Sequence, residues 1–371
     1  MTSSAAPGSR LIAVGDLLLG DTPKSVGFGF RSRYPGSKAS GAFAAVRSTL
    51  RSADIVFGNL ECPLFTSPKG DPEWHADQMR GDPEYADVLK DAGFSVLSVS
   101  NNHASQHGPE AFRGTVALLR DAGILVAGIR GSSPWACEPV VCSPSGQDRS
   151  LGVLAYCWRP AQDPFNSQLV ATGPLEAAVR DVGRLTSMVD RVAVSLHWGA
   201  DFVALPAAAE VEAAHRLIDA GADVILGHHP QVPRPIEAGD GTVVAYSLGS
   251  LVADHVWYEP MRTGLIVEAV FDEDGASLHR VHTTFLHPDY RPTILAESSA
   301  FVAHEMVAGV DPSEYEREAQ RCANSQRRRL YLHVLRNLHR YRPKVLGELG
   351  RVTARNKFSA LRHRLLPGAQ A

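Results

Sequence analysis

Short apolar segments alternate with amphipathic segments through the first 230 residues of the chain. Seven of the apolar segments are hydrophobic on both faces of an extended chain, which is typical of strands covered on both sides. These segments are residues 11–15, 54–59, 95–100, 124–129, 151–156, 191–196 and 223–227. The segments 110–123, 175–189 and 207–221 have a helical period, and two of them end in Ala-Gly, a C-cap signal. This alternation predicts a layered α/β fold.

The pattern changes after residue 230, where four extended segments follow one another without a helix between them. The segments are 233–238, 242–249, 263–272 and 277–286, and their turn sequences include AGDG and DEDG. We therefore expect antiparallel strands joined by hairpins in this part of the chain. From Glu297 the pattern becomes polar and helical, and Pro343 predicts a break between two helices.

The charge of the chain divides at about Pro312. The whole chain has a net charge of −3, yet from Pro312 onward it has 14 Lys and Arg against four Glu. The first 311 residues hold 23 basic and 36 acidic residues. As a helix the tail is amphipathic and cationic, so it can pack on its own domain or on an anionic membrane surface, and we do not expect nucleic acid as a partner. We interpret residues 1–295 as one domain and residues 296–371 as a basic helical extension.

Cysteine content and apolar run lengths bear on where the protein works. The five cysteines are scattered without a CxxC pair, which is typical of reduced thiols and not of a disulfide framework. The N-terminal sequence MTSSAAPGSR has no apolar signal core, and no apolar run is long enough to span a bilayer. We expect a cytoplasmic protein without a transmembrane segment.

Polar residues with metal-ligand chemistry follow directly after the apolar segments. They are Asp16, Asn59, Glu61, Asn101, Asn102, His103, His197, His228 and His229. Taken singly, each has a structural explanation, such as capping a helix or closing a turn. The carboxyl ends of parallel strands meet at one edge of an open α/β sheet, and that edge is where ligands bind. The set as a whole therefore indicates a hydrolytic or binding metal site.

Six segments occur in a fixed order between about residue 10 and about residue 290. They are AVGDLLLG, GNLECPL, DVLKDAGFSVLSVSNNHASQHG, VSLHWGADF, GHHPQV and YSLGS. In this order they resemble the bacterial capsule-synthesis family, also called the CapA or poly-γ-glutamate synthesis family, which is similar to the calcineurin-like metallophosphoesterases. The resemblance implies a four-layer α/β/β/α sandwich with a two-metal site. It also implies a phosphoesterase or a component of capsule polymer synthesis.

The resemblance implies a role for each matching residue around the first metal. Asp16 matches the first aspartate ligand of that metal. Glu61 takes the place of the carboxylate that bridges the two metals, and Asn59 is a nearby oxygen donor.

Around the second metal, Asn102 and His197 match ligands and His103 matches the acid. His229 aligns with the first histidine of a closing His-x-His, and His228 is then its variable neighbour. The alignment can shift by one position, so either histidine can be the ligand, and we favour His229.

Two departures from the superfamily pattern concern the first metal. Leu18 stands where the superfamily has a histidine, which is ordinary in the CapA-like family, and Gln231 stands where the last histidine is expected. Imidazole suits Zn, Fe and Mn, whereas carboxylate and amide oxygens suit Mg, Mn or Ca and bind more weakly. We therefore expect divalent metal ions (Mn, Fe, Zn or Mg), with one tight site at His197 and His229 and one weak site at Asp16.

Three further departures put the reaction in doubt more than the fold. Gln106 replaces an acidic residue of the family motif, Ser250 replaces an asparagine, and Asp201 stands where the family often has glutamate.

If the protein is an enzyme, a bound divalent cation supplies hydroxide at neutral pH and His103 protonates the leaving oxygen. Arg80 is a catalytic candidate because a guanidinium can hold an anion with two hydrogen bonds, although it equally fits a solvated loop. Arg159 is a second candidate of the same kind.

These residues predict a metal-dependent hydrolase of phosphoesterase type, acting on an anionic small molecule or polymer. The alternative is a component of capsule or poly-γ-glutamate synthesis that uses the metal site to bind an acyl phosphate or an anionic polymer without net hydrolysis. A scaffold with a degenerate site is the third reading, and retention of the ligand set argues against it.

Overall fold

The computed structural model describes residues 8–66, 78–143, 149–161, 163–303, 306–348 and 350–351. The strands in these ranges are β1 (Ser9–Leu17), β2 (Ile55–Leu60), β3 (Val96–Ser98), β4 (Leu125–Ala127), β5 (Val140–Cys142), β6 (Leu151–Cys157), β7 (Arg191–His197), β8 (Val224–His228), β9 (Ile236–Gly239), β10 (Thr242–Ala245), β11 (Ser250–Val252), β12 (Thr263–Phe271), β13 (Ala276–Leu286) and β14 (Pro292–Glu297).

The α-helices in the same ranges are α1 (Phe30–Arg33), α2 (Arg47–Leu50), α3 (Tyr85–Ala92), α4 (Gly108–Asp121), α5 (Asn166–Leu169), α6 (Leu175–Leu185), α7 (Ala208–Asp219) and α8 (Pro312–Arg336). Short 3₁₀ helices cover Gly36–Phe43, Glu259–Arg262 and Leu338–Arg340. The predicted Ala-Gly caps after α4 and α7 are present, because Gly123 and Gly221 both have positive φ.

The strands form two sheets. One has eight strands in the order β14-β13-β12-β1-β2-β3-β4, with β11 paired alongside β1, and the other has six strands in the order β5-β6-β7-β8-β10-β9. Strands β1 to β4 are mutually parallel in the first sheet, and β6, β7, β8 and β10 are parallel in the second. The crossovers between parallel neighbours therefore put helices on the faces of the sheets.

Alternation of side chains along the strands explains why both faces are apolar. Leu11 and Ala13 of β1 pack in the core between the two sheets, whereas Ile12 and Val14 pack against helices on the outer face. In β7, Ala193 points between the sheets and Val194 points outward, toward α6 and α7. The predicted four-layer α/β/β/α sandwich is therefore confirmed.

The second half of the chain differs in part from the prediction of consecutive hairpins. The hairpins β9–β10 and β12–β13 are present, but the first belongs to the six-stranded sheet and the second to the eight-stranded sheet. The segment 242–249 is a strand only as far as Ala245, and β11 then runs parallel to β1. Strand periodicity cannot distinguish these partners, because it reports which faces are covered and not which neighbour pairs.

The C-terminal helix α8 begins at Pro312, near the point where the charge of the chain changes. The helical pattern predicted from Glu297 is wrong for residues 298–303 and 306–311, which are described and are not helical. The side chain of Asp311 accepts a hydrogen bond from the Ser313 amide at 2.9 Å, which caps the helix. Residues 343–348 are again helical after the Pro343 break. Residues 304–305, 349 and 352–371 of the predicted extension lie outside the described residues, and the domain boundary at residue 295 stays a prediction.

None of the helices within the described ranges combines the length and the hydropathy needed to cross a bilayer.

Candidate metal centre

The candidate residues meet where the carboxyl ends of strands from both sheets come together. Asp16 near the end of β1 is in register with Asn59 of β2 and Ser250 of β11. In the other sheet, His197 at the end of β7 is in register with His228 at the end of β8. All five side chains are buried. The topology thus brings residues separated by more than 200 positions to one edge.

Unusual backbone conformations shape this edge. A Cβ atom added at Gly15 would lie 2.1 Å from the carbonyl oxygen of Gly249, so only glycine permits the close approach that carries the Asp16 amide to that oxygen at 2.9 Å. After β8, His229 and Gln231 both have positive φ, 92° and 62°. Such backbone strain in residues with side chains is typical of functional loops.

Three potential ligand atoms converge on Nε2 of His197. Its Nε2 lies 2.8 Å from Oδ1 of Asn102, 3.1 Å from Nδ1 of His229 and 3.5 Å from Oε1 of Glu61. The ligand atoms of Glu61, His197 and His229 all lie within 4.8 Å of one another. The structure therefore brings together the residues that the resemblance assigned to the second metal.

These separations fit the coordination shell of one ion. Two ligand atoms of a tetrahedral ion are about 3.4 Å apart when each lies about 2.1 Å from it. A set of two imidazole nitrogens, a carboxylate oxygen and an amide oxygen suits Zn, Fe or Mn. In addition, Nε2 of His229 is buried without a hydrogen-bond partner among the described residues. The residues present therefore fit a divalent cation.

Burial sets the ionisation of these groups. Burial, followed by the nearby His229, holds the pKa of His197 well below its usual value. Burial, followed by the positive charge of Arg159, does the same to the pKa of His229. Burial, followed by the charge of Asp16, raises the pKa of Glu61 well above the ordinary carboxyl value. The imidazoles are thus neutral, which is the form that binds metals.

Asp16 lies in a different environment, one filled by hydrogen-bond donors. The amide nitrogen of Gln231 donates to Oδ2 of Asp16 at 3.1 Å and to Oε2 of Glu61 at 2.7 Å. The Gln231 oxygen accepts a hydrogen bond from the Ser250 hydroxyl at 2.8 Å, which orients the amide. Asp16 also contacts His228 Nδ1 at 3.1 Å. Although burial opposes its charge, these hydrogen bonds and the neighbouring imidazoles lower the pKa of Asp16.

The two adjacent histidines have different surroundings. His228 contacts Asp16, and its ring lies 5.9 Å from that of Phe57 between the sheets. His229 faces His197, and its backbone amide donates to Asp16 at 3.1 Å. In this structure His229, and not His228, is the member of the group that can share an ion with Glu61.

Asn59 does not have the position expected of an oxygen ligand. Its amide nitrogen donates to Asp16 at 2.8 Å and lies 3.3 Å from Nδ1 of His197. Its oxygen instead accepts a hydrogen bond from Asn101 at 3.2 Å. Asn59 therefore orients Asp16 and His197. Asn101 has a structural role, since it also donates to the Leu60 carbonyl and accepts from the His103 amide.

His103 lies half-buried at the rim of the centre. Its Nδ1 is 3.0 Å from Oε1 of Gln106 and its Nε2 is 3.4 Å from Nδ2 of Asn102. An amide oxygen can only accept, so Nδ1 carries the proton and Nε2 is the atom free to exchange one. Burial lowers the pKa of His103, and the hydrogen bond to Gln106 offsets this in part.

The two arginine candidates differ in position. Arg80 is buried, and its described contacts are a 2.9 Å hydrogen bond to the Phe65 carbonyl and an ion pair of 3.5 Å with Asp82. These contacts do not join it to the ligand cluster, so its catalytic role stays a prediction without geometric support. Arg159 follows β6, and its charge acts on both His229 and Asp201. Arg159 has a buried Nε without a partner in the described part of the chain.

No role was predicted from the sequence for two residues that lie around the centre. Asn166 donates to the Asn101 carbonyl at 2.9 Å and to the Ser105 hydroxyl at 3.1 Å, which holds the segment that carries His103. Asp201, noted only as a departure from the family, has a carboxylate oxygen 3.7 Å from Nε2 of His229. Asn166 lies in a short helix with no local motif, so the sequence offered no signal for it.

The chain matches known proteins over most of its length. The family model described as "Bacterial capsule synthesis protein PGA_cap" matches residues 10–255. The chain is similar to the PGA biosynthesis protein CapA of Bacillus subtilis, with 29% identity over 279 residues that cover 74% of this chain and 70% of the relative. It is also similar to the capsule biosynthesis protein CapA of Bacillus anthracis, with 25% identity over 277 residues that cover 71% of this chain and 64% of the relative.

One solved structure with a similar arrangement is the 5'-nucleotidase from Candida albicans. It aligns with a TM-score of 0.44 and 11% sequence identity, over 88% of this chain and 60% of that chain.

Proposed function

The chain belongs to the family of bacterial capsule synthesis proteins, PGA_cap, and we propose that it is a metal-dependent hydrolase of phosphoesterase type. We assign the activity to the domain of residues 1–295 and an accessory role to residues 296–371. The substrate is an anionic small molecule or polymer.

The convergence of donor atoms on one point carries this proposal. Nε2 of His197 lies within 3.5 Å of potential ligand atoms from Asn102, His229 and Glu61, and the side chains of His197, His229 and Glu61 are buried. Two neutral imidazole nitrogens, a carboxylate oxygen and an amide oxygen that face one point are a ligand set that a divalent cation can satisfy. The set supports one tightly held Zn, Mn or Fe ion.

When bound, a divalent cation lowers the pKa of a coordinated water and polarises a phosphoryl oxygen. The chain's own residues supply the other requirements. Asn59 holds the His197 ring through its Nδ1, and the charge of Arg159 beside His229 attracts the anionic group of the substrate. His103 carries its proton on Nδ1, which faces Gln106, so as a general acid its Nε2 would first take up a proton from the attacking water and then pass it to the leaving oxygen.

The first metal position is the weak one in this proposal. The Gln231 amide nitrogen already lies between Asp16 and Glu61, where a second cation would otherwise neutralise the two carboxylates. A second ion binds there only by turning that amide, so that its oxygen replaces its nitrogen and the Ser250 hydrogen bond is rearranged.

The test combines metal analysis with turnover. The protein is dialysed, its metals are measured by elemental analysis, and hydrolysis of p-nitrophenyl phosphate and bis-p-nitrophenyl phosphate is assayed with added Mn, Zn or Mg. We expect about one tightly bound ion per chain and hydrolysis that a chelator abolishes. His103→Gln should keep the ion and lower kcat by roughly 10²-fold or more. One bound ion with no turnover of any phosphoester would refute the hydrolase.

A second candidate is a role in polymer synthesis without net hydrolysis, in which the centre holds an acyl phosphate or an anionic polymer. The names of the two Bacillus relatives, a PGA biosynthesis protein and a capsule biosynthesis protein, favour it. Acetyl phosphate separates the two. Binding that depends on His197 and His229 but yields no free phosphate supports synthesis, whereas release of phosphate supports the hydrolase.

A further inference from the structure

Helix α8 lies along the edge of the sandwich that carries the metal centre. Near its start, the Tyr315 hydroxyl accepts a hydrogen bond from the Ala200 amide at 2.8 Å, and farther on Cys322 contacts the Phe202 carbonyl at 3.4 Å. Near its end, the His333 ring lies 5.7 Å from the ring of Trp257. These partners belong to the segments that follow β7 and β11, which also supply His197 and the Ser250 region. The helix is therefore next to the centre.

A groove of about 640 Å³ separates the second half of α8 from the segment after β11. Its lining includes Trp257 on one side and Arg328, Arg329, His333 and Arg336 on the other. The residues from α8 recur at helical spacing, so they form one face of the helix. Three guanidinium groups thus face a single groove.

The neutral groups of the groove also present donors. Nε1 of Trp257 and Nε2 of His333 are both buried without a hydrogen-bond partner within the described ranges. The Asn337 amide nitrogen lies 3.3 Å from Nδ1 of His333, so Nδ1 accepts and the proton of the neutral ring is on Nε2. Two N–H groups without acceptors are costly unless a ligand supplies oxygen atoms.

The arginines are available for such a ligand. Arg328 and Arg336 are exposed, and neither has an ion pair or hydrogen bond with another residue of the described chain. Arg329 stacks over the ring of Tyr258 at 5.5 Å, which fixes its stem beside the groove. The groove therefore offers three cations and two N–H donors, and none of the described residues that line it is a carboxylate.

His255 connects the groove to the metal centre. Its ring is 5.7 Å from that of Trp257, and its imidazole experiences the charges of Asp201 and His103 at the rim of the centre.

We propose that this groove is an anion-binding subsite, which holds a phosphate or carboxylate group of an anionic chain molecule whose reacting group lies at the metal centre. Only the statement that the reacting group lies at the metal centre rests on the proposed function. The oxyanion chemistry follows from the groove itself, because guanidinium and N–H groups are the usual partners of phosphate and carboxylate oxygens.

The test measures binding to the full-length protein after metal removal, so that the centre is not needed for the signal. Tripolyphosphate and a hexamer of glutamate are titrated by calorimetry, which separates phosphate from carboxylate as the preferred group. The double variant Arg328→Ala/Arg336→Ala should weaken binding of the preferred probe about tenfold or more, because each of the two substitutions removes a charge-assisted contact. Trp257→Phe should weaken it less, because only one neutral donor is lost.

The matched control is Arg321→Ala/Arg327→Ala, which removes two charges from the same helix outside the groove lining. Thermal melting of each variant establishes that the fold is intact. Equal weakening by the control would show a general charge effect and overturn the subsite. Binding of phosphatidylglycerol vesicles through Arg328 and Arg336, with no binding of the soluble polyanions, would also overturn it in favour of a membrane contact.

The test of the groove as a subsite and the test of the protein as a hydrolase can succeed or fail independently. Groove-dependent binding in a protein that hydrolyses no phosphoester would support the subsite while removing the hydrolase. Hydrolysis of p-nitrophenyl phosphate without any groove-dependent binding would support the hydrolase and overturn the subsite. The small phosphoester does not reach the groove, so the arginine variants should leave its turnover within about twofold of the wild type while they weaken the polyanion.

Discussion

The two halves of the candidate centre differ in how their buried polar atoms find partners. Around His197 and His229, donor atoms with lone pairs face one another, and Glu61 adds a carboxylate to the group. Around Asp16, the amide of Gln231 supplies N–H groups to the carboxylates, and Ser250 satisfies the amide oxygen. Buried polar atoms need complementary partners. The first half therefore fits a cation, whereas in the second half protein hydrogen bonds satisfy the carboxylates.

In the proposed two-metal site, one position is expected to be weak and the other tight. An amide nitrogen between two carboxylates provides partial positive charge without a net charge, and it needs no ion from solution. It also excludes an ion from the same space until the amide turns. A change from histidine to glutamine at one position thus alters occupancy as well as ligand strength.

The largest expected effect is loss of the ion from the His197 half. His229→Ala removes one of the two imidazoles, and we expect elemental analysis after dialysis to find no retained metal, against about one ion per chain in the wild type. His215→Ala is the matched control, because His215 is a histidine of α7 that pairs with Glu237 away from the centre. Full retention of metal by His229→Ala would place the tight site elsewhere.

The next effect is gain of an ion in the Asp16 half. Gln231→His replaces the amide donor with an imidazole, which is the stronger ligand for Mn, Fe or Zn. Metal content should rise from about one toward two ions per chain when the variant is dialysed against Mn or Zn. Gln231→Asn, which keeps an amide, is the control. Two tight ions already in the wild type would contradict the contrast between the halves.

A third prediction concerns the buried carboxyl groups of Asp21 and Asp254, which are compared with the carboxylates of the candidate centre. Burial, followed by the charge of Asp21, raises the pKa of Asp254 to about 7. Backbone and hydroxyl donors from Thr22 and Ser25 surround it, and the Tyr290 hydroxyl lies close by. The folded protein thus binds this proton more tightly than the unfolded chain, whose aspartate pKa is about 3.9. Stability is then fully present below about pH 4 and is lost as the pH rises through about 7.

Urea unfolding at pH 5 and pH 8 measures this dependence. We expect the free energy of unfolding to fall by on the order of a few kcal/mol for the wild type over that interval. Asp254→Asn, which mimics the protonated form, should flatten the dependence, while Asp190→Asn at the surface should not. An unchanged slope in Asp254→Asn would mean that other groups set the pH dependence.

The smallest effect concerns the orientation of Gln231. Ser250→Ala removes the hydroxyl that donates to the Gln231 oxygen, and we expect it to lower the free energy of unfolding of the metal-free protein by about 1 kcal/mol. Because the amide then turns more easily, Mn should bind the Asp16 half more readily than in the wild type. Ser247→Ala, a change of a buried serine of the same segment, is the comparison. A loss of stability without any change in Mn binding would show that Ser250 does not control the orientation of the Gln231 amide.

Much of the fold was predictable because the strands are local patterns. Each of the seven predicted strands overlaps an observed one, since a strand buried on both faces has a continuous apolar signature. The pairing of β11 with β1 and the assignment of the two hairpins to different sheets were not predictable. Strand pairing depends on which distant segment lies alongside, and periodicity carries no information about that.

The ligand set was predicted from strand ends and from the family resemblance, and the structure brings its members together. The arginines show where this reasoning stops. Arg80 contacts Phe65 and Asp82, and its catalytic role stays a prediction, while the charge of Arg159 acts on His229. A loop residue's direction depends on the path of the whole loop, which no short motif encodes.

The sequence by itself determined which residues have metal-ligand chemistry, which strands are buried on both faces and that the chain becomes basic from about Pro312. Only the tertiary structure decided that the Gln231 amide lies between Asp16 and Glu61 and that Asn59 turns its oxygen away from the centre. Residue type fixes what a side chain can donate or accept. Its partner is fixed by which chain segments the sheets bring within about 3 Å of it, and that is a property of the whole fold.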